Sequence, residues 1–169
     1  MKPVALVFQY TQNEYVKAER QYLFASKTIT KTSVAVLAIY VPVSIITLFL
    51  SSFSGLSIIA VAIAMIAAAA GSILYFYIPT YKFKQTEKYH EEYTLTFSDA
   101  GVNFKTPTID SELKWEIYSG MWESDAFFFL IHAPRMYTLI PKRAFENPDA
   151  QQNFEEIALA NLKGTKRML

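Results

Sequence analysis

The chain has no cysteine, which excludes a disulfide scaffold, a thiolate metal site and a cysteine nucleophile. Charge is missing from one long window. Between Lys31 and Lys82 there is no Asp, Glu, Lys or Arg, and all 16 cationic and 15 anionic side chains lie outside it. The net charge of +1 lacks the basic excess that nucleic-acid phosphates require, so no nucleic-acid partner is expected. The five glycines are scattered, with no phosphate-cradling loop and no GxSxG element. His90 lies in a polar connector and His132 ends an apolar strand. Neither has the HxH or HxxE spacing of a metal site, so no metal and no cofactor are expected. The adjacent carboxylates Glu91-Glu92 and Glu155-Glu156 point in different directions on a strand or helix and do not form an acid/base couple. No catalytic residue is assigned, and a non-enzymatic role is expected.

The uncharged window is long enough for two membrane spans. A helix of about 20 apolar residues crosses about 30 Å of hydrocarbon. Segments at about 33–53 and 56–80 meet that requirement, with Ser51-Ser52-Phe53-Ser54-Gly55 as the turn between them. A mid-bilayer charge costs about 2.5 kcal/mol or more, and neither segment has one. Lys27 and Lys31 precede the first span, Lys82, Lys84 and Lys88 follow the second, and the turn has no cation. By the positive-inside rule both termini are expected in the cytoplasm of a multi-pass protein. Tyr75, Tyr77 and Tyr81 suit an interfacial belt. Pro42 predicts a kink in the first span. Ala60, Ala64 and Ala68, with Gly71, recur at a spacing that permits close helix packing, either on the first span or on another protein or second copy.

Outside residues 32–81 the pattern is that of an α+β domain. Residues 1–31 read as a strand, with Val4, Leu6, Phe8 and Tyr10 alternating, followed by a helix. Thr11 and Glu14 match a capping box, and Tyr15, Ala18, Tyr22 and Ala25 follow at helical spacing. Residues 82–169 read as a charged connector, about six strands and a C-terminal helix. Phe127 to Ile131 is apolar on both faces and is expected to be a doubly covered strand. Leu113, Trp115 and Ile117 alternate as a strand would, and Trp115 and Trp122 are assigned to core and rim. Asn147 and Pro148 start the helix, and Gly164 is assigned to its C-terminal cap. Counting the first strand gives seven antiparallel strands and a closing helix, the plan of a pleckstrin-homology (PH)-like barrel with the membrane hairpin inserted after its first strand.

Leu113-Lys114-Trp115, then Phe127-Phe128-Phe129-Leu130, then Leu139-Ile140-Pro141-Lys142-Arg143-Ala144-Phe145 resemble the signature of the YcxB-like C-terminal domain. The resemblance implies a small bacterial plasma-membrane protein of this layout and brings no biochemical activity with it. The exposed cations Lys142 and Arg143, joined by Lys163, Lys166 and Arg167, are the candidate contacts to a membrane surface or partner. The function expected is a membrane-anchored binding or regulatory module with the lipid bilayer, and another protein, as partners. The alternative is an accessory subunit packing through the Ala-rich second span.

Overall fold

The computed structural model describes residues 2–168. They form two compact units, one made of the chain up to Ala18 together with Thr86 onward, the other of Glu19–Gln85.

The first unit is built on two four-stranded sheets. The first sheet has the order β1 (Val4–Gln9), β2 (Glu92–Ser98), β3 (Gly101–Lys105), β4 (Asp110–Leu113), all antiparallel. The register Val4↔Phe97↔Val102 and Leu6↔Leu95↔Phe104 aligns the alternating apolar residues across three strands. One face is therefore dry, and a register slip of one residue would turn it to water. The pairing of β1 with β2 shows that the helical segment is inserted between the first strand and the rest. The first strand thus belongs to the β unit, and the boundary between units falls inside α1 (Gln12–Ala25). Gly101 has φ 154°, and a Cβ there would come within 2.5 Å of the Leu113 carbonyl oxygen, so this turn requires glycine.

The second sheet has the order β7 (Met136–Pro141), β6 (Phe127–Ala133), β5 (Gly120–Glu123), β8 (Thr165–Arg167). Phe127 to Ile131 is buried along its whole length, as its unbroken apolar run predicts. The helix α5 (Pro148–Asn161) starts at Asn147, whose side chain accepts from the Ala150 amide at 2.8 Å. It seats Phe154 between the sheets, with ring centroids 4.7 Å from Phe97 of the first and 5.2 Å from Phe128 of the second.

Among the described residues the strands form two open sheets. Three expectations are corrected. Trp115 is not in a strand. Trp115–Ile117 is a 3₁₀ turn that buries the indole and lets its Nε1 donate to the Ser98 carbonyl at 2.8 Å. Thr165–Arg167, outside the seven strands counted from the sequence, adds a short parallel strand to β5. Gly164 does not cap α5, whose C-cap is Leu162; the Gly164 carbonyl accepts from the Met121 amide at 3.0 Å. That contact needs a glycine opposite, because a Cβ on Gly120 would lie 2.6 Å from the Gly164 oxygen.

The second unit is helical. α2 (Lys31–Leu50) is capped by a reciprocal Thr30–Ser33 box and runs on through Pro42. The turn places Ser52 and Phe53 at positive φ, and Ser54 caps α3 (Gly55–Ser72). A π-helical turn, Ile73–Tyr77, then leads into α4 (Ile78–Gln85). Lys31–Leu50 and Gly55–Gln85 are both long and apolar enough to cross a membrane. Their large side chains are mostly exposed, Leu50 at 81%, Leu56 at 83% and Ile66 at 69%.

Candidate functional site

The second sheet gathers most of the candidate cations at one end. β5, β7 and β8 run the same way, so Lys142 and Arg143 after β7, and Lys166 and Arg167 on β8, come out beside Glu123, the last residue of β5. Lys163 precedes β8 and is not part of that group.

The two residues after β7 do not present free charge. Lys142 Nζ forms an ion pair with Glu123 Oε1 at 2.6 Å and lies 4.7 Å above the Phe128 ring. Arg143 grips Glu14 through Nε and, at 2.8 Å, through Nη2, which also donates to the Gln9 carbonyl at 2.8 Å. Glu14 meanwhile caps α1, accepting from the Thr11 amide at 3.1 Å. The Arg143 hydrogen bond, with help from Thr11, outweighs partial burial and holds the Glu14 carboxyl down at about 2. Arg143 thus fastens the β7 end to the β1–α1 junction, and Lys142 fastens it to the end of β5. On β8, Lys166 Nζ sits 4.6 Å from the Trp122 ring, while Lys163 and Arg167 are exposed.

Beside Lys142 an open cleft of about 640 Å³ runs along the start of α5, lined by Phe145, Glu146, Pro148, Gln151 and Glu155 among others. It is polar-walled with an aromatic edge, a composition suited to hydrogen bonding and shallow apolar contact. A second cluster lies at the other end of the sheet. His132 Nε2 meets the Thr138 hydroxyl at 2.8 Å, and the Tyr118 ring lies 4.5 Å from the imidazole. Burial pushes the Tyr118 hydroxyl up to about 12 and pulls His132 below its usual range, so both are neutral at pH 7. His132 is thus a hydrogen-bonded neighbour of Thr138.

In the helical unit α2 packs on α3. Ala64 is 1% exposed, and Ala60, Ala68 and Gly71 are partly covered, on the side where Ser57 is also buried. On α2 the covered positions Leu37, Val41, Ser44 and Leu48 recur every three or four residues, the seam of a helix pair. Within the hairpin the small-residue stripe is turned inward at Ala64 and partly covered at Ala60, Ala68 and Gly71.

The sequence reading passed over Arg20. Its Nε donates to the Tyr75 carbonyl of the π turn at 3.2 Å, and its guanidinium lies 4.8 Å from the Tyr75 ring and 5.2 Å from the Phe76 ring. A lone arginine shortly before a span, with an Ile-Leu-Tyr-Phe-Tyr run at the end of the next, is the pattern that would have pointed to it.

Residues 97–158 match the family described as YcxB-like protein. The chain carries a YcxB-like domain. The matched stretch runs from the end of β2 to within α5; β1 lies before it and β8 after it. Neither the curated proteins nor the solved structures contain a match to the chain.

Proposed function

We propose that the chain is a membrane-anchored, non-enzymatic binding module. The helices α2 and α3 span the bilayer as a hairpin, and the YcxB-like domain faces the cytoplasm as a partner-reading head. The observation that carries this reading is the exposed apolar surface of the two helices. Soluble proteins rarely expose contiguous apolar patches beyond a few hundred Å², and a helix pair with no charge between Lys31 and Lys82 is at home in hydrocarbon. The lysines at both hairpin ends favour the cytoplasm for the flanking segments.

The head is read as PH-like. Support comes from the antiparallel four-plus-three strand arrangement, with the short parallel β8 added, and from Phe154 of α5 seated between the sheets. Fold likeness says little about function, so the ligand argument rests on the cleft. Its mixture of Gln151, Gln152, Glu146 and Phe145 fits a polypeptide segment better than an anionic headgroup, because Lys142 is already paired with Glu123.

Proximity labelling in native membranes tests this, comparing the wild type with Gln151→Arg. Neighbours labelled by the wild type and lost in the variant support a cleft-borne partner. Identical labelling patterns would remove the basis for the reading.

A further inference from the structure

We propose that Arg20 and the π turn of the second span form a binding site for the phosphate of a membrane phospholipid. The proposal rests on the reading that the hairpin spans a bilayer.

The level of the site follows from helix geometry. α2 has 20 residues, a length of about 30 Å at about 1.5 Å per residue, which matches the hydrocarbon core. The same rise counted back from Gly55 along the second span arrives at Leu74 and Tyr75. The π turn, Ile73–Tyr77, therefore leaves the hydrocarbon where α2 enters it, at the depth of the lipid headgroups. Tyr77, the last residue of the turn, and Tyr81 stack at 5.6 Å, in the position of an interfacial belt.

A π turn widens the helix and shifts its hydrogen-bond ladder, and such turns concentrate at functional sites. Here two carbonyls of the turn take side-chain donors. Thr80 Oγ1 donates to the Phe76 carbonyl at 3.2 Å, and Arg20 Nε donates to the Tyr75 carbonyl at 3.2 Å. The guanidinium is fixed further by the Tyr75 and Phe76 rings, and Phe24 meets Tyr75 edge-on at 6.0 Å. Arg20 is half-buried, and Nε makes its one hydrogen bond among the described residues. The neighbouring acid is engaged elsewhere, Glu19 pairing with Lys82 at 3.7 Å.

The result is a planar cation held rigidly at headgroup depth, with both terminal nitrogens available. An arginine fork matches two oxygens of a phosphate, and pre-orientation reduces the rotamer entropy lost on binding. A phosphodiester bearing two acyl chains would set its phosphate on the fork and its tails along the exposed apolar face of α3.

The test uses native mass spectrometry of the full chain in detergent, titrated with phosphatidylglycerol, with a diacylglycerol of the same tails and with inorganic phosphate. One phosphatidylglycerol retained per wild-type chain is expected, with no retention of diacylglycerol and no displacement by millimolar phosphate. Arg20→Gln should weaken retention by about tenfold or more, Arg20→Lys by a smaller factor, and the exposed Lys84→Gln by less than about twofold. If Arg20→Gln loses helicity by circular dichroism, Arg20→Lys carries the comparison. Wild-type retention in the folded variant, or equal retention of diacylglycerol, would overturn the site. Displacement by free phosphate would overturn the lipid assignment. Recovery of wild-type chain in the soluble fraction without detergent would sink the bilayer reading itself, whereas a membrane-bound chain indifferent to Arg20 would sink only this site.

Discussion

Replacing Arg143 with alanine cuts the link between the end of β7 and the start of α1, residues 129 positions apart. Its cost can be worked from the Glu14 carboxyl. That group is held at about 2, against about 4.3 in an unfolded chain. Each unit is worth about 1.4 kcal/mol, which sets an upper bound of about 3 kcal/mol. The Glu14 side chain is 21% exposed and that of Arg143 50%, so solvent screening reduces the bound to about 1–2 kcal/mol. The fold binds the deprotonated carboxylate. The contribution is therefore complete above about pH 4.5 and disappears as the pH falls toward 2. Both tryptophans, Trp115 and Trp122, lie in the β unit, so their emission during urea unfolding of the full chain in neutral detergent reports that unit. Arg143→Ala should cost about 1–2 kcal/mol at pH 7 and progressively less toward pH 3, because the wild type loses the same interaction there. A wild-type minus variant difference that stays constant from pH 7 to pH 3, or is absent at pH 7, would refute the clamp.

Two further substitutions probe each unit's packing. Phe154→Ala removes a fully buried ring that touches Phe97, Phe128 and Phe145, and should destabilise the β unit by about 3–5 kcal/mol in the same urea assay. Ala64→Leu forces three extra carbons into a position 1% exposed and should lower hairpin stability by about 1–3 kcal/mol with the oligomeric mass unchanged. A changed mass without loss of stability would instead make the alanine stripe an intermolecular surface.

Legibility followed the range of the interaction. The alternation of Val4, Leu6 and Phe8, the Thr11–Glu14 box, the Asn147 cap and the serine turn are local signals, and each appears in the structure where its residues put it. The doubly buried Phe127–Ile131 strand was legible because it has no polar face. The 3₁₀ turn at Trp115 was hidden by a period-two pattern, and its conformation is fixed by a distant acceptor, Ser98. β8 carries no apolar alternation and exists through pairing with β5. Arg143 looked like free surface charge because its partner, Glu14, already had a local role as a cap. The π turn has no sequence period of its own, and the Arg20 contact that marks it spans 55 residues.

The chain's lack of cysteine makes the topology directly measurable. Single cysteines at Ser52, in the hairpin turn, and at Asp125, in the β5–β6 turn, can be tagged with a membrane-impermeant maleimide in intact cells. The hairpin account predicts that the Ser52→Cys chain labels from outside and the Asp125→Cys chain only after the membrane is opened. Labelling of both sites from the same side of an intact membrane would contradict it.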